Sequence, residues 1–157
     1  MTTIDFASST THAKCNQRIL SVECLGTEHG FQDRFASSPQ ERIPFYRSIY
    51  ENCTTVTKNL EIVHLYPGSG LEFDLSFFEN IREVYGYVLV ATNHVSRVPL
   101  TSLRVIRGLV QLKPQSSGVG YSLYIAANYH QPRDGVEVGL QVLELPSLRG
   151  RRLLSLR

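Results

Sequence analysis

Apolar positions in this chain recur in a fixed phase. Phe78-x-x-Ile81-x-x-Val84-x-Gly86 is followed 22 residues later by Leu100-x-x-Leu103-x-x-Ile106-x-Gly108, and each copy runs into a β-rich segment. A period in the twenties marks a solenoid, in which one unit cannot bury its own apolar edge and stacked neighbours supply the core. An altered earlier copy reads Tyr50-x-x-Cys53-x-x-Val56-x-Lys58, with lysine in the place of the glycine. A later copy, Leu145-x-x-Leu148-x-x-Arg151, loses its third apolar position, so the repeat is expected to die there. Gly86 and Gly108 fall at the same phase, where the chain turns into its strand and a glycine can take positive φ without steric cost.

Other elements follow from shorter patterns. Apolar residues at 43, 45, 46, 49 and 50 suit a short amphipathic helix over 43–50, with Pro39 and Pro44 bracketing its start. From Thr54 onward Val56, Leu60, Ile62 and Leu65 alternate with polar residues as in a strand, until Pro67-Gly68-Ser69-Gly70 breaks the chain. The run Tyr87–Ala91 reads as a strand in a parallel stack, and Tyr121–Ala127 supplies the next one after a loop at 114–120. The predicted fold class is therefore mainly β, a parallel solenoid with a short N-terminal helix. Residues 1–21 read as a disordered leader, polar and without the basic and apolar regions of a secretory signal.

Composition narrows the function less than the pattern does. With 157 residues the chain has the length of one domain and can bury about two thirds of its unfolded surface. A formal charge of +2 argues for neither nucleic acid nor anionic lipid as a partner. Arg149, Arg151, Arg152 and Arg157 crowd the end of the chain and read as a solvated tail. No run approaches the ~20 apolar residues of a membrane span.

Three cysteines, Cys15, Cys24 and Cys53, allow at most one internal pair, and their spacing does not choose it. A Cys24 to Cys53 bond would close a loop of about 30 residues and contribute ~3.5 kcal/mol in the chain-entropy model. The alternative is three reduced thiols in a cytosolic protein.

Catalytic patterns are absent from the sequence. Gly68-Ser69-Gly70 lacks the third glycine and the lysine of a phosphate loop, and reads as a plain turn. There is no Gly-x-Ser-x-Gly elbow, and none of the kinase catalytic motifs. His12, His29, His64, His94 and His130 are scattered with no metal-ligand spacing, so neither a metal nor another cofactor is expected. Asn52-Cys53-Thr54 matches the acceptor pattern for N-glycosylation, which makes Asn52 a candidate site if the chain is secreted.

Several segments closely resemble the first extracellular receptor L domain of the epidermal growth factor (ErbB) receptor tyrosine kinases. They are Tyr50-Glu-Asn-Cys-Thr-Thr-Val-Thr-Lys-Asn-Leu-Glu-Ile, Asp74-Leu-Ser-Phe-Phe-Glu-Asn-Ile-Arg-Glu-Val-Tyr-Gly-Tyr-Val-Leu-Val and Val98-Pro-Leu-Thr-Ser-Leu-Arg-Val-Ile-Arg-Gly. Cys24-Leu-Gly-Thr resembles the opening of such a domain, and Tyr121-Ser-Leu-Tyr-Ile its next strand. The match runs from about Val22 to Leu148, so 22–157 is expected to be a receptor L domain, truncated at its C-terminal end.

The resemblance implies a right-handed parallel β-helix, an extracellular location as part of a receptor, and a disulfide between Cys24 and Cys53. It also implies an EGF-like growth factor and the other domains of the parent receptor as partners, with the tyrosine kinase elsewhere in that parent. Carried over by position, the growth-factor face includes His64, Thr92 and Ala126. These are smaller or more polar than the bulky anchors of the family, which predicts a weaker hold on the ligand. A second reading, a cytosolic leucine-rich solenoid serving protein–protein interaction, rests on Leu100-x-x-Leu103-x-Val105. It fits less well, because Glu83 stands at the matching place in the preceding unit.

Overall fold

The computed structural model describes residues 21–28, 39–66, 73–114, 118–130 and 138–149. The leader and the segment from 150 onward, including Arg151, Arg152 and Arg157, lie outside these residues. Among the described residues, one helix, α1 (Pro39–Tyr50), and a single 3-10 turn (Ser76–Phe78) accompany eleven short strands. The strands are β1 (Glu23–Cys24), β2 (Thr55–Val56), β3 (Leu60–Val63), β4 (Glu83–Val84), β5 (Val88–Ala91), β6 (Arg97–Pro99), β7 (Val105–Ile106), β8 (Leu123–Ala126), β9 (Tyr129–His130), β10 (Val138–Gly139) and β11 (Val142–Glu144).

Three sheets are wholly parallel, with strand orders β1-β2-β4-β7, β3-β5-β8 and β6-β11. Each collects strands from segments far apart in the chain, so neighbours in space are repeats in sequence. Only β9 and β10 pair antiparallel among the named strands.

The repeat seen in the sequence is a repeated corner. Cys53 N–H donates to the Tyr50 carbonyl, Ile81 to Phe78, Leu103 to Leu100 and Leu148 to Leu145, at 2.9 to 3.3 Å. These side chains fill the main core: Tyr50, Phe78, Ile81, Leu100 and Leu103 are fully buried, while Leu145 and Leu148 pack against them from the rim. The fourth copy keeps its first two positions. Its corner is intact, and Arg149 N–H still donates to the Arg104 carbonyl at 2.9 Å. Its third position, Arg151, lies outside the described residues.

One local expectation needs correction. The helix begins at Pro39 rather than at residue 43, and Pro44 sits inside it. Pro39 suits the first turn because its missing N–H would have no helical partner there, whereas Pro44 removes one bond to the preceding turn. The helix is held instead by packing, with Tyr46 and Tyr50 fully buried against the Phe78 ring.

Gly108 takes φ +63°, as the turn requires, but Gly86 does not adopt a left-handed conformation. Its reason is space. A Cβ on Gly86 would collide with Asn59 Oδ1 and come within 2.8 Å of the Lys58 carbonyl. Asn59 Oδ1 needs that room to accept the Tyr87 N–H at 3.2 Å, while its Nδ2 donates to the Thr27 carbonyl.

The sheet β3-β5-β8 divides two apolar layers. Leu60, Ile62, Val88 and Val90 enter the main core, and the alternate residues Val63, Leu89 and Ala91 pack on the other face with Tyr87 and Leu112. Strand alternation thus gives β3 and β5 two buried faces, which accounts for their continuous apolar runs. Glu61 lies on the second face, almost fully buried, and accepts a hydrogen bond from the Tyr87 hydroxyl.

Candidate functional site

The candidate site is the edge where the chain leaves β3, β5 and β8. The residues after these strands, His64, Thr92 and Ala127, all adopt the left-handed conformation, with φ of 55°, 54° and 51°. An L-residue pays roughly 1–2 kcal/mol for that conformation, so three in register must be held by their surroundings.

Asparagines hold them. Asn93, fully buried, donates through Nδ2 to the Ile62 carbonyl at 2.8 Å and accepts the Leu65 N–H at 3.1 Å. Asn128 does the same one strand further on, donating to the Val90 carbonyl at 2.8 Å and accepting from both Asn93 N–H and Nδ2. The amides satisfy backbone groups that the ladder loses at the corner. The signal in the sequence is the matched pair Ala91-Thr92-Asn93 and Ala126-Ala127-Asn128, which the search for apolar phase passes over.

On this frame stands a cluster of polar rings. His64 Nδ1 lies 2.8 Å from Thr92 Oγ1 and 2.9 Å from the Tyr66 hydroxyl. The Thr92 hydroxyl also donates to the Ala91 carbonyl at 2.7 Å. The Tyr66 ring packs on His94 with centroids 4.4 Å apart. Arg42, buried on α1, donates to the His64 carbonyl at 2.9 Å and ties the helix to this edge.

The structure thus brings His64 and Thr92 into side-chain contact. Ala126 differs: it is the last residue of β8, pairs with Ala91, and meets Thr92 only through its carbonyl, which accepts the Thr92 N–H at 3.2 Å. The register mate of Thr92 is the exposed Ala127. Tyr66 and His94 were not anticipated from the sequence.

Cys24 and Cys53 form a disulfide with Cα atoms 5.8 Å apart, joining β1 to the corner after α1. Such a bond belongs to an oxidising compartment, which weighs against the cytosolic reading. Asn52, one residue before it, is exposed and takes φ 64°, the left-handed position that often closes a helix. Among the described residues, no group of three or more His, Cys, Asp or Glu side chains converges for a metal, and no helix is long and apolar enough to cross a membrane.

The family model described as "Receptor L domain" matches residues 52–152, well over half of the chain. The chain belongs to the receptor L domain family. The span matched takes in all four repeats of the corner except the first residues of the earliest one. Over 80% of its length this L domain is 34% identical to receptor tyrosine-protein kinase erbB-2 of Rattus norvegicus and 40% identical to erbB-4 of Mus musculus. Over 65% of its length it is 39% identical to the melanoma receptor tyrosine-protein kinase of Xiphophorus maculatus. It spans 8 to 10% of the length of these relatives.

Proposed function

We propose that this L domain is a growth-factor-binding module on the extracellular side of an ErbB-like receptor tyrosine kinase. In this reading, residues 22–157 form the domain as a right-handed parallel β-helix, preceded by a leader over 1–21. The observation that supports it most is the contact of His64 with Thr92, beside Ala126 at the end of β8, on one edge of β3-β5-β8, carried on a rigid asparagine-locked frame in a chain similar to those receptors.

A preorganised edge suits protein recognition, because little ordering entropy is lost when the partner arrives. The ligand would lie across the strand ends, meeting the His64 imidazole, the Thr92 methyl and Ala126, with Tyr66 and His94 as flanking rings. Small side chains at two of these places leave room but offer few large anchors, so affinity is expected to be modest. Asn52 is proposed as a glycosylation site, exposed beside the disulfide and away from this edge in sequence.

A titration of an EGF-like growth factor against the folded, disulfide-intact chain tests the proposal. Saturable binding, weakened by Thr92→Arg and unchanged by Arg97→Gln on β6, is the expected result. A folded sample that shows no saturable binding to such ligands overturns it.

A further inference from the structure

A separate feature lies on the sheet β1-β2-β4-β7. Arg82 and Arg104, which precede β4 and β7, are stacked in register with Arg149: Arg104 N–H donates to the Arg82 carbonyl at 2.8 Å, and Arg149 N–H to the Arg104 carbonyl at 2.9 Å. Arg82, Arg104 and Arg149 are therefore rungs of one ladder, about 4.8 Å apart along the stack. Arg82 is half-buried, and the other two are exposed.

Like charges directly opposite one another on neighbouring strands destabilise a sheet. The arginines with carboxylate partners elsewhere, Arg47, Arg97 and Arg107, show how this protein usually compensates such charges. No carboxylate of the described residues forms an ion pair with Arg82, Arg104 or Arg149. Glu83, next to Arg82 in the chain, is engaged by Arg107.

Arg82 and Arg104 line an open cleft of about 240 Å³ with Ser21, Thr54, Thr55, Val105 and Glu83, whose carboxylate is paired with Arg107. Guanidinium forks and hydroxyl groups lining one cleft match the oxygen atoms of sulfate groups. The cationic rungs rise along the stack axis, so the cleft fits a repeating polyanion better than a single ion. None of the side chains lining it is aromatic, and stacking platforms are what single-stranded nucleic acid needs. The disulfide places the protein among extracellular polyanions rather than nucleic acids.

We propose that the Arg82–Arg104–Arg149 ladder binds a linear sulfated polysaccharide of the glycosaminoglycan class. The arginine-rich end of the sequence then belongs to a binding stripe in part, since Arg149 is its third rung. The site is distinct from the β3-β5-β8 edge, and it stands whether or not that edge binds a growth factor.

The test uses the full chain with heparin as the probe. Wild-type protein is expected to stay on immobilised heparin at about physiological salt and to unfold at a higher temperature when heparin is added. The triple variant Arg82→Gln/Arg104→Gln/Arg149→Gln should bind roughly tenfold or more weakly, with a shallower salt dependence of affinity, as loss of several ionic contacts requires. A control triple, Lys58→Gln/Arg97→Gln/Lys113→Gln, removes equal charge elsewhere and should keep binding close to wild type. Both variants are compared only with the disulfide formed and a cooperative thermal transition. Absence of heparin binding, equal loss in the two triples, or equal affinity for fully desulfated heparin or for DNA overturns the proposal.

Discussion

Asn128 Oδ1 receives two hydrogen bonds from Asn93, one from its backbone N–H at 3.1 Å and one from its side-chain amide at 3.0 Å. Asn93 in turn serves Ile62 and Leu65, so the pair stitches three successive strands at the corner where each turns left-handed. The asparagines let His64 and Thr92 keep an unfavourable backbone, and with it the geometry of the candidate site.

Replacing Asn93 by alanine should therefore lower stability by about 2–4 kcal/mol, because the Ile62 carbonyl and Leu65 N–H become buried and unpaired. Asn128→Ala, at a half-buried position, should lower it by about 1–2 kcal/mol. The double variant should fall short of the sum, since the two share bonds. Denaturant unfolding of the three proteins checks this.

The two repeat glycines should respond differently to alanine. Gly86→Ala drives a Cβ into Asn59 Oδ1 and the Lys58 carbonyl, and should displace the bond from Tyr87 N–H, at about 2–3 kcal/mol. Gly108→Ala meets mainly the Ser122 side chain, which can rotate, and should cost about 1–2 kcal/mol for the left-handed backbone. Thermal melts should rank Gly86→Ala as the less stable.

That contrast shows what the sequence could and could not reveal. The phase of Phe78, Ile81, Leu100 and Leu103 made the corners and the parallel order legible, because burial of an apolar edge leaves a periodic mark. The reason for Gly86 was hidden, since it depends on where the side chain of Asn59 lies, 27 positions earlier. The asparagine pair and the Tyr66–His94 contact were missed for the same reason: they are polar interactions across strands, with no period to announce them. In the fourth copy the apolar pair Leu145 and Leu148 marks the corner, with its bond and its place in the core, while the third position, Arg151, lies outside the described residues. Helix α1 was read too short because Pro44 looked like a boundary, and burial of Tyr46 and Tyr50 overrides that local signal.

Loss of the disulfide, by the double change Cys24→Ala/Cys53→Ala, should lower stability by about 2–5 kcal/mol. Thiol titration of unreduced wild-type protein, unfolded to expose every side chain, should find Cys15 alone reactive, as one bond among three cysteines requires.

Acid should loosen the junction between α1 and the 3-10 turn. Hydrogen bonds from the Ser76 hydroxyl and amide, then the Arg47 guanidinium, hold the Asp74 carboxyl down to about 2. Its folded value lies below the unfolded one, so its contribution is present above about pH 4 and is lost as pH falls towards 2. Asp74→Asn should flatten the stability profile in that window and leave its shape near neutrality unchanged.

The most direct test of the account is a two-dimensional amide spectrum of the full chain titrated with an EGF-like growth factor. Saturable shifts should concentrate at His64, Tyr66, Thr92, His94 and Ala126, and leave Arg82 and Arg104 in place. Shifts confined to the β1-β2-β4-β7 face, or none from a well-folded sample, would contradict it.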